Sequence, residues 1–191
     1  MNTIAIFASG SGSNAEAIVS YFSERPDVSV GCILTNKADA GVIDRAKRLG
    51  IPCYYFDNST MREGEKPLAL LRELGVELIV LAGYLCLITP VYIEAFPQRI
   101  INIHPALLPR FGGKGMYGVH VHRAVIAQGE SLSGITIHLV DELYDHGRHL
   151  LQATCPVHAH DTPETLAERI HHLEHRFFAP TIDHYLQNEL R

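Results

Sequence analysis

The chain has 191 residues, enough to bury one sizeable core. Its formal net charge is −5 and its pI about 6.2, with no Lys/Arg run, which argues against nucleic acid or an anionic membrane surface as partner. The longest apolar runs are strand-sized, well short of a membrane span, and the chain opens on a strand-like segment rather than a signal region, so a cytoplasmic location is expected.

Thr3–Ala8 reads as a short apolar strand, Ser9–Ser13 as a flexible turn, and Asn14 opens a helix to about Phe22. Val28–Thr35 is a second strand, followed by a helix from about Asp39 to Leu49 with Gly50 as its stop. Ile51–Phe56 is a third strand. The polar stretch Asp57–Lys66 is expected to loop into a helix around Pro67–Leu74. Glu77–Leu81 is a fourth strand, nearly all apolar, as suits a parallel strand covered on both faces.

Beyond this point the strand–helix alternation changes. Arg99–Ile103 is a fifth strand, followed by the irregular segment Pro105–Gly118, which carries Gly112, Gly113, Gly115 and Gly118. Such a loop is either mobile or functional. Val119–Gln128 reads as a helix, and Ile135–Val140 and Leu150–Val157 as two strands joined by Asp141–His149. Thr162 caps the last helix with Pro163 at its first position. No repeat or linker interrupts the chain. The expectation is one α/β domain over residues 1–191, with a doubly wound, mainly parallel sheet and an antiparallel C-terminal part.

The most informative residues are Asn102 and His104. Two apart on a strand, they project from the same face at the strand's end, where the crevice of an open α/β sheet lies. One supplies a fixed neutral donor and the other a group that can carry a proton, equipment for a carbonyl reaction passing through an oxyanion. Gly10-Ser11-Gly12-Ser13-Asn14-Ala15 fits G-x-G-x-x-A, the form of a dinucleotide-binding turn. The second strand ends Leu34-Thr35-Asn36-Lys37, with no carboxylate for a ribose diol. The favoured reading is therefore a phosphate held by backbone N–H groups at a helix N-terminus, with a nicotinamide cofactor or a plain turn as alternatives. Asp145, just before Gly147, suggests a tight bend that aims a carboxylate. It could reach His104 and favour the imidazolium, or it could be an ordinary solvated turn residue.

The other candidates read more plainly. His120 with His122, and His158 with His160, are spaced like metal-ligand pairs but lack a third ligand, so surface or loop histidines and no metal are expected. His171 and His175 share a face of the last helix, read as solvated, and His138 reads as a hydrogen-bonded structural histidine. Cys32, Cys53, Cys86 and Cys155 are far apart and are expected as buried free thiols.

Together, Ser9-Gly10-Ser11-Gly12-Ser13-Asn14, Asn36-Lys37-Ala38-Asp39-Ala40, Leu81-Ala82-Gly83-Tyr84, Asn102 to Pro109, Gly134 to His138 and Asp145-x-Gly147 resemble the phosphoribosylglycinamide formyltransferases of purine biosynthesis. They fall in family order over nearly the whole chain. The resemblance implies a Rossmann-like formyltransferase fold and formyl transfer from 10-formyltetrahydrofolate, as co-substrate, to the amine of glycinamide ribonucleotide. It implies Asn102, His104 and Asp145 as catalytic trio, with Asp145 keeping His104 protonated. It further implies Gly12, Ser13, Asn14 and Glu174 for the ribonucleotide, and Arg62, Leu85, Cys86, Leu87 and Ile88 for the folate. The N-terminal half would hold the ribonucleotide and the C-terminal half the folate and the chemistry. Small molecules would be the only ligands, with no metal, and the protein would be a monomer or homodimer. Three departures stand out: Cys86 where many relatives carry Arg, a longer loop over Arg110–Gly118, and Arg148 in place of a frequent Pro. The alternatives are a formyltetrahydrofolate hydrolase, whose relatives carry a further domain ahead of the catalytic one, and another folate-dependent N-formyltransferase.

Overall fold

The computed structural model describes residues 2–190, and alternation along its central strands sets the architecture. In β1 (Asn2–Phe7), Ile4 and Ile6 face one core while Ala5 and Phe7 face another, and all four are fully buried. A strand buried on both faces needs helices on both. They come in order: α1 (Ser13–Phe22), β2 (Val28–Thr35), α2 (Gly41–Leu49), β3 (Cys53–Tyr55), α3 (Asn58–Glu63), α4 (Glu65–Glu73), β4 (Leu78–Leu81), α5 (Pro90–Ala95), β5 (Ile100–His104), α6 (Val119–Ala127), β6 (Leu132–Leu139), β7 (His149–Pro156) and α7 (Pro163–Asn188). The first core takes side chains from α1, α2, α6 and α7; the second takes them from α3, α4 and α5. Each fully buried Ile, Leu or Phe contributes roughly 1.5–3 kcal/mol relative to exposure.

The seven strands run in the order β3-β2-β1-β4-β5-β6-β7. Pairing is parallel through β5 and antiparallel for β5–β6 and β6–β7. This is the doubly wound sheet with an antiparallel end that the sequence predicts. The α7 start is capped as expected: Thr162 Oγ1 accepts from the Thr165 N–H, and Thr165 Oγ1 accepts from the Thr162 N–H.

Three expectations need correction. Asp57–Lys66 is not a plain loop: Asp57 accepts from the Thr60 N–H at 2.8 Å and caps α3. That six-residue helix buries only Met61, too little apolar surface to leave a periodic signal. Helix α5 was not foreseen for the same reason of length. The thiols divide, with Cys32 and Cys155 buried but Cys53 and Cys86 only half-buried.

Candidate active site

The order of the strands reverses between β1 and β4, and a crevice opens beyond their C-terminal ends. The turn leaving β1 reaches α1 through Gly12, whose φ is +78°. A Cβ there would stand 2.5 Å from Val42 Cγ2 on α2, so only glycine keeps α2 this close. Val42 N–H donates to the Gly10 carbonyl at 3.0 Å, and Arg45 Nε donates to the Ser11 carbonyl at 2.9 Å, holding the turn from outside. The first N–H groups of α1, at Ser13 and Asn14, have no acceptor within the helix and sit at its positive end, a setting that favours an anion.

Strand β5 brings in the second set. Asn102 lies opposite His138 and His104 opposite Thr136 on β6. His104 is buried. Its Nε2 lies 2.8 Å from the Phe111 carbonyl, which can only accept, so Nε2 carries the hydrogen. Its Nδ1 lies 3.6 Å from Asp145 Oδ2. Asp145 stands at φ +53° in the link between β6 and β7, a conformation Asp tolerates better than most residues. The bend packs tightly: a Cβ on Gly147 would fall 1.9 Å from the Leu139 carbonyl oxygen. From the long loop, the Gly113 N–H donates to Asp145 Oδ2 at 2.9 Å.

The electrostatics correct one expectation. Burial pulls the His104 pKa down, and the Asp145 carboxylate and the Phe111 carbonyl only partly offset it, so the net shift is downward. Asp145 alone therefore does not keep His104 protonated. For Asp145 itself burial favours the neutral acid, but the two imidazoles and the Gly113 N–H outweigh it and hold its pKa below the ordinary value.

A cavity of about 550 Å³ joins the two sets. Asn102, His104 and Asp145 line it, with Gly12, Ser13, Asn14 and Glu174. Glu174 is buried, accepts from Asn14 Nδ2 at 2.8 Å, and has its pKa raised, by burial above all. Leu85, Cys86, Leu87 and Ile88 also line the cavity, the two leucines well exposed on it. The Leu85 N–H donates to Ser9 Oγ at 3.0 Å, Ser9 Oγ donates to Asn36 Oδ1 at 2.6 Å, and Asn36 Nδ2 stands 3.1 Å from Cys86 Sγ. This chain of polar contacts anchors the segment to the ends of β1 and β2.

Arg62 is not brought to the cavity. It is exposed on α3, where its Nε donates to the Asn58 carbonyl of its own helix. Two further histidines stand on the cavity wall. His122, expected at the surface, is buried and lines the cavity, and burial pulls its pKa down to about 4. It stands beside Val121 and three residues before Val125 on the buried face of α6, so the helical period was the signal that could have found it. His138 is buried and hydrogen-bonded, as expected, and it lines the cavity 3.1 Å from Asn102 and 3.7 Å from Asp145. Its place one strand away from Asn102 was legible only once the β5–β6 register was known.

Known proteins resemble this chain along nearly its whole length. A family model described as "Formyl transferase" matches residues 2–182. The chloroplastic phosphoribosylglycinamide formyltransferase of Arabidopsis thaliana is 45% identical over 185 residues; the match covers 94% of this chain but only 63% of that relative. The chain thus spans somewhat less than two thirds of the length of this plant protein. The phosphoribosylglycinamide formyltransferase of Bacillus subtilis is 40% identical, with 97% of this chain and 95% of that protein covered. The crystal structure of phosphoribosylglycinamide formyltransferase from Bacillus halodurans superposes with a TM-score of 0.87 at 36% identity, covering all of this chain and 97% of the other. A matching family model over nearly the whole length, on a sheet whose crevice gathers these groups, means that the chain belongs to the formyl transferase family.

Proposed function

We propose that this protein transfers a formyl group from 10-formyltetrahydrofolate to the amine of glycinamide ribonucleotide. The observation that carries the reading is one cavity lined both by the Gly12–Asn14 helix start and by Asn102, His104 and Asp145. The relatives' names supply the acceptor and the group transferred, and the likeness of the motifs supplies the folate donor. In this reading the N–H groups of Gly12, Ser13 and Asn14 hold the phosphate, Glu174 accepts from the ribose, and residues 85–88 lie along the folate. Arg62 contributes nothing, and Cys86 acts through its backbone.

The amine attacks the formyl carbon, a C–N bond forms, and the carbonyl oxygen gains the electron pair. Asn102 donates to that oxygen through its amide, the kind of fixed donor whose removal elsewhere costs roughly 10²–10³ in kcat. The amine's proton passes to His104 Nδ1, where Asp145 stabilises the new positive charge. It then goes to the leaving N10 as the C–N10 bond breaks. Protonation of His104 is thus assigned to the reaction, because burial lowers the pKa of the imidazole. The proposal includes a cytoplasmic location, no metal, a single domain, and a monomer or homodimer.

The test mixes purified protein with 10-formyltetrahydrofolate, with and without glycinamide ribonucleotide, and follows folate absorbance. Turnover only with the ribonucleotide is expected. Equal turnover without it points to the hydrolase, and none in either condition overturns both readings.

A further inference from the structure

Asn102 can stabilise an oxyanion only if the correct end of its amide faces the reacting carbonyl. Nothing in an amide's shape decides which end that is, since its oxygen and nitrogen have nearly the same size. The neighbouring strand supplies the decision. His138 faces Asn102 across the β5–β6 ladder and is 2% exposed. Its Nδ1 lies 2.8 Å from the Leu139 carbonyl, an atom that can only accept, so Nδ1 carries the ring hydrogen. In the neutral ring Nε2 then offers a lone pair, and Asn102 Nδ2 donates to it at 3.1 Å. Turning the Asn102 amide over would set its oxygen against that lone pair, two acceptors facing each other in a buried place.

We propose that His138 is a positioning residue for formyl transfer: the Leu139 carbonyl fixes its tautomer, and its Nε2 fixes the amide of Asn102. It holds the Asn102 nitrogen in place, with its second hydrogen left for the developing oxyanion. This rests on the transfer reading above for its consequence, but the tautomer can be tested without it. The same Nε2 lies 3.7 Å from Asp145 Oδ1, beyond hydrogen-bond reach, so one imidazole stands beside two of the three groups assigned to the chemistry.

Two measurements decide the matter. The first is two-bond proton–nitrogen correlation NMR on wild-type protein with ¹⁵N-labelled histidine. A neutral Nδ1–H ring is expected for His138, and an Nε2–H tautomer or an imidazolium at neutral pH overturns the proposal. The second is a double-mutant cycle. His138→Ala is expected to lower kcat roughly tenfold to hundredfold, the usual cost of losing the partner that orients a directly acting group, with KM for both substrates nearly unchanged. In an Asn102→Ala background the same change is expected to cost little, because its effect runs through Asn102. His138→Gln, which can place an oxygen acceptor near the Nε2 position, is expected to recover much of the rate. Wild-type kcat in His138→Ala, or an equal further loss in the Asn102→Ala background, overturns the positioning role. Should wild-type protein fail to transfer formyl at all, the transfer reading falls, while the NMR result still decides the tautomer.

Discussion

The parallel and antiparallel parts of the sheet serve the cavity by different means. On the parallel side, at the end of β1, the groups presented are mainly backbone N–H donors from a glycine turn and a helix start. These donors do not titrate, and packing alone sets their position. On the antiparallel side, β5, β6 and the following bend present an amide, imidazoles and a carboxylate, all largely buried. Such groups can move protons, and burial changes their protonation. The contrast teaches that binding an anion and moving a proton make opposite demands: one asks for permanent partial charge, the other for side chains poised to change charge.

The largest expected effect lies on the antiparallel side. Asn102→Ala should lower kcat by roughly 10²–10³ while leaving KM for the ribonucleotide close to wild type. A small fall in kcat with a large rise in KM would erase the distinction between the two regions. On the parallel side, Gly12→Ala places a methyl group 2.5 Å from Val42 Cγ2 and forces a non-glycine residue to φ +78°. It should cost roughly 1–3 kcal/mol of stability and raise KM for the ribonucleotide more than it lowers kcat, as steady-state kinetics and urea unfolding would show.

A third expectation concerns acid. Free histidine in the unfolded chain takes up a proton near 6.5, whereas folded His122 resists until about pH 4. Between those values the unfolded state binds the extra proton, so His122's contribution is complete above about pH 6.5 and erodes as pH falls toward 4. His122→Leu should therefore lose less stability than wild type between pH 7 and pH 4.5, read from urea midpoints; parallel losses would remove His122 from the acid response. The smallest effect is expected outside both regions: Arg62→Ala should leave folate KM unchanged and stability within about 0.5 kcal/mol, because the side chain is exposed and faces its own helix. A marked rise in KM would bring Arg62 back to the cavity.

How much was legible depended on the range of the interaction. Strand β2 was delimited at Val28–Thr35 from its apolar run, and Gly50 marked the end of α2, where it adopts φ +70°. Both are local signals. Helix α3, six residues with one buried side chain, carries no comparable periodicity. Asn102 and His104 could be paired because two residues along a strand share a face. Arg62 was assigned by likeness to a motif, and its side chain is exposed on α3, outside the cavity lining.

The sequence by itself determined the alternation of strands and helices, the glycine turn, the paired amide and imidazole, and the bend that aims Asp145. Each depends on backbone geometry within a few residues. Only the tertiary structure decided that Asp145 stands 3.6 Å from His104, that His138 faces Asn102, and that His122 is buried. It also decided that burial lowers the His104 pKa, because the free energy of a charge depends on how much water the whole fold removes from around it, and no short stretch of sequence encodes that.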